Sequence, residues 1–156
     1  MLQHILLFIT LLLYSIIVSQ SLSYIISLRR VQQALDAPGY LNWRKLTDQL
    51  FHQRFRPVVY ASLVSNLALV IVSALFKELF LFGCSTMAFV ALVADTWVAV
   101  KGNLPINAII NQWTPQNIPA DWQLYRRRWL QLFSVRQVLN IIGYTSLLAA
   151  AVFRHL

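Results

Sequence analysis

The sequence predicts an all-α integral membrane protein. It is a four-helix bundle, a single domain over residues 1–156, with amphipathic or extended helical connections on the cytoplasmic side. Three observations predict it. Of the 156 residues, 58% are hydrophobic and only 12% are charged, where a soluble domain is charged at about a quarter of its positions. Four apolar runs, each about 19–24 residues, match the roughly 20 needed to cross a hydrocarbon core. The basic residues gather on two connections between those runs.

The first run, 5–28, holds scattered Ser, Thr, Gln and Tyr but no charge. A cleaved secretory signal is the rival reading, but this N-terminus has no basic segment and its apolar run is long. Asp36-Ala37-Pro38-Gly39 then marks a turn. After it Leu41, Trp43, Leu46, Leu50 and Phe51 recur at helical spacing, with Arg44, Lys45, Asp48, Gln49 and Gln53 largely between them. That pattern predicts an amphipathic helix. It lies on the bilayer, extends span two, or packs against its neighbours.

The second run, 58–76, holds one Asn and no charge. Phe76-Lys77-Glu78-Leu79 leaves room only for a tight hairpin into the third run, 79–100, which contains Asp95. The following connection is punctuated by Pro105, Pro115 and Pro119. A helix is expected to begin near Pro119-Ala120-Asp121, with Pro and an acid in its first turn. Trp122, Tyr125, Trp129 and Leu132 share one face of it, and it can run unbroken through the fourth run, 133–153. At about 1.5 Å per residue such a helix is near 50 Å long and projects well past the membrane.

Arg29, Arg30, Arg44, Lys45, Arg54 and Arg56 lie on the first long connection. Lys101, Arg126, Arg127 and Arg128 lie on the second, with Arg136 just inside the fourth span. The opposite side has only Lys77 and Arg154. The excess of positive charge places both long connections in the cytoplasm and both termini outside, in a cell (inner) membrane. All five Trp fall near the same side, as an interfacial belt would. The net charge of +8 is therefore read as topology and attraction to anionic lipid headgroups, not as a nucleic-acid surface.

The polar residues of the spans converge at one depth. Gln20, Ser23, Tyr24 and Ser27 stand at i, i+3, i+4 and i+7 on span one. Tyr60, Ser62, Ser65 and Asn66 occupy the same half of span two, and Asp95 lies toward that end of span three. Arg136, Asn140 and Tyr144 follow from that end of span four. Polar groups are costly against lipid and face a bundle interior or a wet cavity. The expectation is a polar pocket in the cytoplasmic half, sealed by apolar packing beyond it. Interhelical glue is the alternative role for Gln20, Asn66 and Asn140. A buried Asp95 needs a specific partner, and Arg136 is placed to be it. Even that pair has a purely structural reading. Ala88, Ala91 and Ala99 near the Asp95 face predict close helix packing there.

Cys84 is the single cysteine, so no intramolecular disulfide forms. His4 and His155 lie near one boundary, where they read as two solvated terminal histidines, with axial haem ligation as the alternative; no metal is expected. No phosphate loop, Cys-x-x-Cys pair or nucleophile motif occurs.

The segment KGNLPINAIINQWTPQNIPADWQLYRRRWLQLFSVRQVLNIIG resembles the C-terminal half of a family of small four-span membrane proteins that includes the fungal anthrone oxygenases. The matching positions are Asn103, Pro105, Asn107, Arg128, Trp129, Val135 and Arg136, within a segment that makes up about a third of the chain. Where that family often has Asn-His, this chain has Phe133-Ser134. The resemblance implies an oxygenase or oxidase acting on a lipophilic aromatic or quinone-like compound. That chemistry removes an acidic C–H and stabilises the enolate while O2 reacts, and a base with nearby donors suffices without a cofactor. The candidate base is Asp95, paired with Arg136. The candidate substrate contacts are Asn103, Asn107, Asn66, Asn140, Tyr24, Gln20 and Trp129. The other reading is a non-catalytic module that holds a lipid or quinone or scaffolds a partner. For the Asn-x-Pro-x-Asn box alone, a cap and turn that closes span three and starts a short amphipathic helix is an alternative that can coexist with a site.

Overall fold

The computed structural model describes residues 1–153, apart from the His52 side chain. Arg154 and His155, which entered the topology and haem readings, lie outside the described residues. Seven α-helices follow in order: α1 Leu2–Ser23, α2 Arg29–Ala34, α3 Ala37–Arg54, α4 Arg56–Leu75, α5 Leu79–Val98, α6 Leu104–Asn111 and α7 Trp122–Phe153. Two π-helical segments, Tyr24–Leu28 and Ala99–Asn103, join α1 to α2 and α5 to α6 without a break. Four continuous helical stretches are therefore long and apolar enough to cross a membrane: Leu2–Ala34, Arg56–Leu75, Leu79–Asn111 and Trp122–Phe153.

These helices make a multi-pass membrane protein. α7 packs along α5 and also meets α1, and α4 packs against α1 and α5. Leu7, Tyr14, Ile17, Leu69, Leu81, Ala88, Leu92 and Leu147 fill the core between them. Phe8, Val64, Leu75, Leu79, Val90 and Val138 point outward. Water would penalise so much apolar surface, whereas lipid covers it without cost.

Close packing is built from small residues. Ala88 and Ala91 are buried on α5, as their positions predicted. At Gly143 an added Cβ would run into the Tyr14 hydroxyl and stand 2.6 Å from its Cζ. Gly143 thus makes the space in which the Tyr14 ring sits between α1, α5 and α7. Ser73 and Ser85 approach to 3.4 Å across the α4–α5 hairpin. The hairpin turns at Lys77, whose φ of 57° is left-handed.

Several expectations change in the structure. The third helix does not end at Val100 in a loop; it continues through the Asn box to Asn111. Pro105 lacks a donor and its ring crowds the carbonyl four residues back. The wider π turn just before it accommodates both. Asn103 makes no capping bond of its own, so the box is not a cap, although the short helix α6 does begin within it.

The helix after Asp36 is present, with the Asp36 carboxylate accepting from the Gly39 amide at 3.0 Å. Its buried face is Tyr40, Leu41 and Arg44, while Leu46 and Leu50 stay exposed. α3 therefore packs on its neighbours along one face and leaves apolar side chains exposed on another. The last helix spans 32 residues, about 48 Å at about 1.5 Å per residue, and projects as expected.

Candidate functional site

The bundle end that carries the long connections is organised by aromatic and polar contacts. Tyr24, at the start of the first π segment, packs on Phe133 at 4.5 Å and on Trp129 at 5.8 Å between ring centres. Trp129 and Phe133 stack at 5.0 Å. Ser134 donates to the Leu130 carbonyl at 2.9 Å and accepts from Arg29 at 3.1 Å. Only Trp97 among the tryptophans is strongly exposed, as a belt residue would be; Trp113 and Trp129 are core residues.

Asp95 and Arg136 meet as their depths predicted. Arg136 Nε donates to Asp95 Oδ1 at 2.7 Å and Nη2 to Oδ2 at 3.4 Å. The Asn140 amide donates to Asp95 Oδ1 at 3.3 Å and also lies 3.3 Å from Ser21 Oγ. Gln137 donates to the Ser21 carbonyl at 3.4 Å. Asp95 is 2% exposed and Arg136 15%. Asp95 of α5 thus takes its donors from α7, and Ser21 ties α1 to the same group through Asn140.

The Asn box ties the connections together. Asn103 donates to the Trp129 carbonyl at 3.1 Å, which fixes the box to α7. Asn107 and Asn111 donate to the two Asp48 oxygens at 2.6 and 2.8 Å, which fixes it to α3. Asn103 and Asn107 each keep a buried, unpartnered side-chain oxygen. Gly102 allows α7 to come close, since a Cβ there would meet Leu132 at 2.9 Å. Arg126 donates to the carbonyls of Gln32 and Leu35 at 3.1 and 3.0 Å, which closes the end of α2.

Between these elements lies a cavity of about 180 Å³. Its wall includes Asp95, Arg136, Asn103, Asn107, Gln20, Tyr24 and Trp129, seven of the nine residues singled out from the sequence. Asn140 stands behind the wall, touching it through Asp95. Asn66 is elsewhere. It lies between α4 and α5, where, with its amide turned over, it donates to the Ser85 carbonyl at 3.2 Å and accepts from the Phe89 amide at 3.1 Å. Ser23 and Ser27 do not face the site either, and their hydroxyls turn back onto the carbonyls of Ser19 and Ser23.

Three contributors were not singled out from the sequence. Ser21 replaces Ser23 as the polar anchor of α1. Asp48 holds the Asn box. Arg44, counted only as a topological charge, is 4% exposed and lies with its guanidinium 4.2 Å over the Trp129 ring in the cavity wall. The spacing Tyr40, Leu41, Arg44 places all three on one helical face. That was the available signal, overlooked because charges were assigned to the exposed face.

Burial pushes the Tyr40 phenol up to about 12, against the opposing pull of Arg44 and Arg126. Among the described residues, no three His, Cys, Asp or Glu side chains stand together as metal ligands.

The chain matches no family model, no curated protein and no solved structure in the comparisons made with each.

Proposed function

We propose that this membrane protein holds a lipophilic aromatic or quinone-like molecule in the cavity at the connection end of its bundle. The observation that carries the reading is the composition of the wall. Asp95, Arg136, Asn103 and Trp129 come together there at the end of an otherwise apolar bundle. Ligand sites are mostly apolar with a few convergent polar groups, as this one is. Phe51 and Phe55 offer ring surfaces, and Arg136 offers a donor to a ligand oxygen. An engineered cavity of about 150 Å³ takes up benzene. About 180 Å³ therefore holds a ring, and a larger ligand extends from it.

A second reading, oxidation of the bound molecule, is favoured by the placement of Asp95 in that wall beside a cation. It agrees with the resemblance to the anthrone oxygenase family. Conversion of an anthrone CH2 to a carbonyl by O2 leaves one oxygen atom in the carbonyl and the other in water. In this reading Asp95 takes the ring proton after Arg136 shifts toward the developing enolate oxygen.

The same proposal places the connection end in the cytoplasm of a cell (inner) membrane. Arg127 and Arg128 are exposed there for anionic headgroups.

Binding of menadione, a neutral naphthoquinone, to the protein in nanodiscs tests the first reading. Saturable binding that Ala99→Phe abolishes supports it; binding unchanged by that substitution sinks it. Oxygen consumption with an anthrone tests the second. Turnover that survives Asp95→Asn intact removes Asp95 as the base.

A further inference from the structure

Arg44 is the most unusual charge in the molecule. It is 4% exposed, yet its Nε and Nη1 find no hydrogen-bond partner among the described residues. No described carboxylate pairs with it. Asp48, one turn further along α3, accepts from Asn107 and Asn111 instead. Asp95 accepts from Arg136 and Asn140. The Trp129 face and the nearby Tyr24 hydroxyl give Arg44 partial compensation only. A guanidinium out of water is costly unless an anion meets it. Here the unsatisfied group is part of a cavity wall.

A second space lies beside the first. A groove of about 510 Å³ runs between α1 and α3, lined by apolar residues including Ile16, Leu28, Trp43, Leu46 and Leu50. Gln20, Tyr24, Thr47, Phe51 and Phe55 belong to the walls of both spaces. Leu46 and Leu50 are exposed, so the groove opens on the apolar surroundings of the bundle.

We propose that Arg44 binds an anionic oxygen group, and that the ligand is an acidic amphiphile whose hydrocarbon body lies in the α1–α3 groove. A carboxylate, a phenolate or a phosphate headgroup shares the required chemistry: acceptor oxygens for the buried, unpartnered Nε and Nη1 donors, which the side chain turns toward the ligand. The inference rests on the cavity being a ligand site and adds the charge and shape of the ligand. Arg44 supplies the specificity for charge, and the groove supplies apolar burial.

The test uses the full chain in neutral maltoside detergent, with 11-(dansylamino)undecanoic acid as fluorescent probe and its methyl ester as the uncharged twin. The acid binds the native protein about ten-fold tighter than the ester, the scale of one charged hydrogen-bonding contact. Arg44→Gln abolishes that preference, and Arg44→Lys keeps part of it. Leu50→Glu, a substitution at an exposed groove position, weakens the acid probe by repelling its chain. Equal binding of acid and ester to the native protein overturns the proposal. So does a preference that survives Arg44→Gln or, if that variant does not fold, acid binding unaffected by Leu50→Glu.

Menadione separates the two levels of the account. If menadione binds but the acid is not preferred, the ligand site stands and the Arg44 inference falls. If neither binds, both fall. Displacement of the probe by laurate and by lysophosphatidic acid assigns the anion: stronger displacement by one names a carboxylate or a phosphate headgroup, and either order supports the site. Failure of both to displace overturns it.

Discussion

Asp95 on α5 and Arg136 on α7 are joined by two roughly parallel hydrogen bonds, 2.7 Å from Nε and 3.4 Å from Nη2. Asn140 adds a third donor to the same carboxylate at 3.3 Å. The arrangement satisfies a charge that lipid alone could not accept. It also sets the geometry of the cavity wall.

The pair predicts an asymmetric response to mutation. Arg136→Met leaves a buried carboxylate with only Asn140 and costs about 3–5 kcal/mol. Asp95→Asn costs less, because Arg136 is partly exposed and its long side chain reaches toward water. The double variant Asp95→Asn, Arg136→Met recovers much of the loss, because it leaves no buried charge unpaired. Thermal unfolding of all four proteins in one detergent checks this as a double-mutant cycle. Additive losses would contradict it.

Gly143→Ala forces a methyl into the Tyr14 ring. The expected cost is about 1–3 kcal/mol, typical of overpacking. Tyr14→Phe relieves part of that cost in the Gly143→Ala background by removing the nearest atom. The measurement is the shift in unfolding midpoint. No rescue by Tyr14→Phe would show that the crowding lies elsewhere.

Lys77→Gly is expected to stabilise the α4–α5 hairpin by about 0.5–1 kcal/mol. Lys77 pays a steric cost at a φ of 57° that glycine does not, offset in part by glycine's greater freedom when unfolded. Denaturant unfolding measures it. Loss of stability would mean that the lysine side chain contributes more than its backbone conformation costs.

Tyr40 predicts an alkaline limit. Its phenol titrates at about 12 in the folded protein against an ordinary 10.0. Below pH 10 both states keep the proton and the full stability is present. As pH rises from about 10 through 12 the unfolded chain ionises first, so stability falls. Its hydroxyl is also buried without a partner, so Tyr40→Phe is expected to be nearly neutral at pH 7 and to lessen the alkaline loss. Melting temperatures of both proteins between pH 8 and 11.5 test this. Identical alkaline profiles would remove Tyr40 from the account.

The orientation has its own test. With Cys84→Ser as background, Lys77→Cys should react with a membrane-impermeant maleimide added outside intact cells. Reaction only after the cytoplasm is opened would invert the topology.

The four long helices were legible because apolar length is a local property, readable without knowing what packs where. The Asp95–Arg136 pair was legible through depth, since two charges at one level in a bundle have few other partners. The polar face of α1 was not. An ideal 3.6-residue period groups Ser23 and Ser27 with Tyr24, but their hydroxyls are bonded to the helix backbone and Ser21 makes the interhelical contact. The π turn at Tyr24–Leu28 further changes which positions align. Arg44 was hidden for another reason. Its stacking partner Trp129 is 85 residues away in the chain, and local spacing assigned its charge to solvent. The Asn box was placed beside the site from the sequence, but its grip on Asp48 depends on how α3 folds back.

The central claim is that the cavity bounded by Asp95, Arg136 and Trp129 holds a lipophilic ligand. Native mass spectrometry of the protein released from its own membranes tests it most directly, with Ala99→Phe as the blocked comparison. The account predicts a small molecule retained on the native protein and absent from folded Ala99→Phe. The same adducts on both proteins, or none on the native one, would contradict it.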